Sequence, residues 1–145
     1  MLLHLRTVNA LPVLVILITL SGAQAQEKMF GVFEGKGDVG NPARAGAARY
    51  DADNEEYLVS GAGANMWASR DEFQFVWKRL KGDFILTSSA AFVGKGTEQH
   101  RKIGWIVRSS LDPDSAQASV VLHGDGLTSL QFRKAKGGKI GRAHV

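Results

Sequence analysis

The sequence has no cysteine among its 145 residues and only 3 prolines. The first absence removes disulfide frameworks, thiolate zinc sites, thiol nucleophiles and cysteine-anchored lipoproteins together. Histidine is scarce as well, at 4 residues, and no H-E-x-x-H or paired-His spacing points to zinc. No apolar run reaches the roughly 20 residues that a spanning helix needs, and the length admits one domain, which excludes a two-domain enzyme. What the chain does have is 44% apolar and 22% charged residues, the composition of a protein that buries a small core. Its net charge of +4 invites a nucleic-acid reading, but the basic residues are interleaved with acids, so no nucleic-acid partner is expected.

Both ends read as lying outside the fold. Residues 1–25 have a polar start with Arg6, an apolar run from Leu11 to Leu20 and the small-residue pattern Ala23-Gln24-Ala25, which is the form of a signal peptide. Cleavage there leaves Gln26 first, lowers the charge to +3 and leaves no membrane anchor, and it implies export to a bacterial periplasm or cell surface. At the other end, Ile140-Gly141-Arg142-Ala143-His144-Val145 looks like a translated sequencing adapter. The expected native domain is therefore residues 26–139, followed by a non-native tail at 140–145.

From Met29 onward the pattern is β: short period-two runs separated by Gly, Asp, Asn and Pro clusters. It predicts a first strand at residues 30–33 and a loop over 34–42. A hairpin of strands 46–50 and 57–61 is expected around Asp51-Ala52-Asp53-Asn54, where Asp and Asn can hydrogen-bond their own backbone. Phe73, Phe75 and Trp77 alternate with polar neighbours to give the best-defined strand, and residues 84–92 are expected to pair with it antiparallel. Strands at 103–108, 118–123 and 127–133 complete about eight, which suggests an antiparallel sandwich or jelly roll.

Several motifs tempt and fail. Gly35-Lys36-Gly37-Asp38-Val39-Gly40 matches G-x-G-x-x-G, yet Asn41-Pro42 follows where a pyrophosphate-binding helix should start, so no dinucleotide cofactor is expected. The carboxylates of Asp51, Asp53, Asp112 and Asp114 fall short of a calcium ligand set, and no metal is expected. Ser129, His123 and Asp125 could form a triad on paper, but they share one hairpin and no nucleophile elbow presents the serine. Asp71 and Glu72 are adjacent and point to opposite faces, so no glycosidase carboxylate pair is visible, and no catalytic residue is assigned.

What remains is polar and aromatic. Ser60-Gly61-Ala62-Gly63-Ala64-Asn65-Met66-Trp67 is a small-residue loop ending in an indole just before Arg70-Asp71-Glu72. Rings beside Asn, Asp and Arg are the materials of a sugar site, since a pyranose stacks on the ring while its hydroxyls donate and accept. Trp77 and Trp105 read as core; the candidate binding residues are Asn65, Trp67, Asp71, Arg101, Arg108, His123 and Asp125. Arg101, Arg108, His123 and Arg133 also read as a solvated sheet face.

Residues 30–138 resemble the N-terminal domain of exported bacterial proteins that carry a TolB-like β-propeller, most specifically in Asn65-Met66-Trp67, Arg101-Lys102-Ile103-Gly104-Trp105 and His123-Gly124-Asp125-Gly126-Leu127. That resemblance implies a concanavalin A-like jelly roll, incomplete at its C-terminus, and a propeller as companion domain. It supplies no catalytic residue, and the paired-glutamate strand of the sugar-cleaving members is missing. The function it implies is glycan recognition without catalysis. The alternatives are a glycan-cleaving domain using Glu72, Asp71 or Asp125, and a structural domain docked on its propeller or a partner.

Overall fold

A computed structural model describes residues 30–144; the expected signal peptide lies outside them. The described residues form ten strands and no helix: β1 Gly35–Val39, β2 Ala47–Asp51, β3 Glu56–Ser60, β4 Met66–Trp67, β5 Arg70–Asp71, β6 Phe73–Trp77, β7 Lys102–Arg108, β8 Gln117–His123, β9 Thr128–Arg133 and β10 Gly141–His144. All pairings are antiparallel, and the sheets are small: one of four strands in the order β10-β9-β8-β7, and three of two strands.

The hairpin of β2 and β3 forms where the sequence predicts it, and Asp51 is the reason. Its carboxylate accepts from the backbone N–H of Asp53 at 3.0 Å and from the side chain of Asn54 at 2.9 Å, fixing the turn as an Asx motif. Those hydrogen bonds also hold the Asp51 carboxyl below its usual range.

Two expected strands are corrected. Residues 30–33 are a turn, because Gly31 adopts φ 61° beneath the rings of Tyr50 and Tyr57, a conformation that side chains resist. Tyr57 Oη donates to the Phe30 carbonyl at 3.0 Å and accepts from Val32 N–H at 2.7 Å, and Phe30 and Phe33 pack edge-on against the same ring. The expected loop at 34–42 holds β1 instead, and β1 takes the edge of β6 that was assigned to residues 84–92. Gly35 makes this pairing fit: a Cβ there would fall within 3 Å of the Trp77 ring. Displaced from that edge, residues 84–92 form no strand, and Phe84 and Ile85 are exposed.

The four-stranded sheet carries the site. Alternation is strict, but its burial is the reverse of the expected greasy interior and wet exterior. One face presents Lys102, Ile106 and Arg108 from β7, Gln117, Ser119, Val121 and His123 from β8, and Ser129, Gln131 and Arg133 from β9. This polar face is the buried one. The opposite face, with Trp105, Val107, Val120, Leu122, Leu130 and Phe132, is half-exposed, Val107 and Val120 being 47% and 50% accessible. Phe33 approaches its Trp105, with ring centroids 6.5 Å apart. β10 is contributed by the segment read as a tail and lies along β9.

Candidate functional site

A short strap, residues 65–73, is fastened to the polar face, by Asn65 to Lys102 and by Asp71 to Arg133 and Arg108. β4 and β5 pair Met66 with Asp71 and Trp67 with Arg70. Side chains directly opposite in such a pair share a face. Met66 and Asp71 are buried, whereas Trp67 is 49% accessible and points outward with Arg70. The link between β4 and β5 requires Ala68 at φ 53°, a conformation that favours glycine.

One end of the face is closed by charge. Arg133 grips Asp71 with two parallel hydrogen bonds, Nη1 to Oδ2 at 2.8 Å and Nη2 to Oδ1 at 2.7 Å. The same guanidinium donates to the carbonyls of Ser115, Gly138 and Ala68. Every donor of this buried cation is therefore aimed at an oxygen, the condition under which burying it is tolerable. Arg108 Nη1 lies 3.4 Å from the same carboxylate. Its Nε and Nη2 serve the carbonyls of Ser110 and Asp112, but Nη1 itself makes no hydrogen bond. Burial pushes Arg108 below its ordinary pKa, with Asp71 opposing, and its guanidinium lies over the Phe73 ring.

The other end is open. Lys102 Nζ donates to Asn65 Oδ1 at 2.8 Å and to the His100 carbonyl at 3.3 Å. Lys102 is directly opposite His123, whose ring meets that of His100 edge-on at 6.2 Å. Burial lowers the pKa of His123, and Lys102 and His100 push the same way against Asp125. Burial lowers Lys102 too, with Glu98 opposing.

Between the ends runs a row of buried polar groups. His123 Nε2 stands 3.3 Å from Ser129 Oγ, to which Gln131 Nε2 also donates at 3.3 Å. His123 Nδ1, both amide atoms of Gln117, Gln131 Oε1 and Arg108 Nη1 are all buried without a hydrogen-bond partner. Each unsatisfied group costs about 1–3 kcal/mol, so the row is a recurrent expense that packing alone does not explain.

The seven predicted residues divide accordingly. Asp71 and Arg108 meet at the closed end, and Asn65 and His123 flank Lys102 at the open end. Trp67 is on the outer side of the strap. Arg101 and Asp125 are occupied locally: Arg101 donates to the carbonyls of Gly96 and Glu98 and covers the Phe92 ring, while Asp125 Oδ1 accepts from Leu127 N–H at 3.0 Å and closes the β8–β9 turn. Arg133, read as a solvated face, is fully buried. Lys102, Gln117, Ser119 and Gln131 went unnoticed, although Gln117-x-Ser119-x-Val121-x-His123 and Ser129-x-Gln131-x-Arg133 are legible period-two polar stripes.

Chemically the face can hold and orient, and its carboxylates are already engaged in hydrogen bonds. Both oxygens of Asp71 are engaged by Arg133, and Glu72 accepts from Ala64 N–H on the other side of the strap. The Ser129–His123 contact lacks a third partner, since Nδ1 is unpaired and Asp125 turns to its own loop. No group of three or more His, Asp or Glu side chains stands ready for a metal ion among the described residues. Comparison with protein-family models, with curated proteins and with solved structures finds no match.

Proposed function

We propose that this chain is a non-catalytic glycan-recognition module of an exported bacterial protein, a jelly roll of the lectin type whose polar sheet face takes the sugar. The observation that carries the reading is the row of unpartnered buried atoms. It contains both donors and acceptors, from Arg108 Nη1 through the Gln117 amide and Gln131 Oε1 to His123 Nδ1. Sugar hydroxyls both donate and accept, and a ligand that satisfied these atoms would remove a standing cost of about 1–3 kcal/mol at each. Along β8, from Gln117 to His123, the row extends for about 20 Å, the reach of an oligosaccharide and more than a single sugar needs.

The sugar enters from the Asn65–Lys102 end, where the strap is polar and partly exposed, and the closed end acts as the hinge that keeps residues 65–73 in place. In the intact exported protein a TolB-like propeller is the companion domain of this reading, and the periplasm or the cell surface is where the module meets its ligand. Isothermal titration of the chain against a panel of neutral and acidic oligosaccharides tests the proposal. Saturable binding that is weakened at least severalfold by Gln131→Leu, with an unchanged fold by circular dichroism, supports it. Failure of every oligosaccharide to bind overturns it.

A further inference from the structure

At the open end an ammonium stands without a carboxylate in direct contact. Lys102 Nζ meets two neutral oxygens, Asn65 Oδ1 and the His100 carbonyl, and no carboxylate pairs with it among the described residues. Beside it, His123 is 4% accessible and leaves Nδ1 without a partner. The nearest acids act on Lys102 and His123 from a distance and make their hydrogen bonds elsewhere: Glu98 Oε1 accepts from His100 N–H, and Asp125 Oδ1 accepts from Leu127 N–H. At the far end of β7 the two guanidiniums face Asp71, and Asp112 and Asp114 add further negative charge beside Arg108, so the cations there are matched. The same sheet face thus bears, at its open end only, an ammonium that no carboxylate pairs with, beside the unpartnered His123 Nδ1.

We infer that the glycan recognised is a uronic-acid-containing polysaccharide, with one carboxylate seated on Lys102 between the Asn65 amide and His123. This rests on the glycan-recognition reading and narrows its ligand. A carboxylate suits the position: it is small, singly charged and accepts several hydrogen bonds, and a charge-assisted bond to an ammonium is about twice as strong as a neutral one. Sulfate and phosphate groups are held best by the planar fork of an arginine, and the guanidiniums here already serve carbonyls and Asp71, with only Arg108 Nη1 unbonded.

The test compares the intact chain's affinity for oligogalacturonate, for the same oligomer methyl-esterified, for laminari-oligosaccharides and for a sulfated galactan. The acid form is expected to bind about tenfold more tightly than its ester, and Lys102→Met is expected to bring the two within about twofold. Equal affinity for acid and ester in the unsubstituted chain overturns the inference and leaves the glycan reading standing. Tighter binding of the sulfated galactan than of the uronate overturns it in favour of unselective charge attraction. Binding to none of the four removes the glycan reading itself. The comparison of acid with ester needs no variant, so a misfolded Lys102→Met does not affect it.

Discussion

At one end of the polar face, two guanidiniums close on one carboxylate, and every donor of Arg133 finds an oxygen. At the other end of the same strands, Lys102 and His123 lie against neutral groups, and one ring nitrogen has no partner. The residue types are similar, since each end combines cations, amides and hydroxyls. The difference is whether a counter-charge from the strap has been brought in. Where Asp71 arrives, Arg133 is fully satisfied, although Arg108 Nη1 and the Gln117 amide beside it are not; where only Asn65 arrives, Lys102 keeps no counter-charge and His123 Nδ1 no partner. The contrast separates residues that would destabilise the protein when changed from residues that would change what it binds.

The largest effect is expected from Asp71→Ala. It leaves Arg133 and Arg108 buried without an anion, a loss of about 3–5 kcal/mol, measurable as a lower urea midpoint with an unchanged slope. If the variant unfolds at the original midpoint, the closed end is not what fastens the strap. Arg108→Met should cost less, about 1–2 kcal/mol, because Arg133 keeps its bidentate hold on Asp71 when the second guanidinium is gone.

Acid should weaken the fold through the open end. Burial and Lys102 hold His123 below its ordinary value, so the unfolded chain takes up this proton before the folded one does as pH falls. The contribution is complete above about pH 6.5 and declines below it, down to the lower pKa of the folded imidazole. Unfolding free energies measured from pH 7.5 to 5 should therefore fall with a slope that His123→Gln reduces; an identical slope in the variant would assign the loss to other groups. The smallest effect belongs to Trp67→Ala. With its ring on the outside of the strap, the change should shift stability by less than about 0.5 kcal/mol and glycan affinity by less than about twofold. A large loss of binding would move the site to the strap's outer surface.

The strands with their own punctuation were legible in the sequence. Asp51 and Asn54 announce the β2–β3 turn, and the alternating stripes of β7, β8 and β9 can be read residue by residue. The partner of β6 was not, because the choice between residues 35–39 and 84–92 depends on space over the Trp77 ring, which only Gly35 leaves free. Within the site, Asp71 and Arg108 were picked out by type and are in contact, but the decisive ion pair joins Asp71 to Arg133 across 62 residues, a separation that no local pattern encodes. The inverted burial of the four-stranded sheet was equally hidden. Alternation says that two faces differ, and it does not say that the strap is fastened to the polar one.

The most direct test of the account is an NMR titration of the chain with oligogalacturonate, followed through the His123 imidazole and the side-chain amides of Gln117 and Gln131. The account predicts saturable shifts at these groups with one shared affinity, and far smaller shifts at the Trp67 indole. Shifts confined to the indole, or a spectrum that does not respond at saturating sugar, would contradict the claim that the buried polar row is a binding surface.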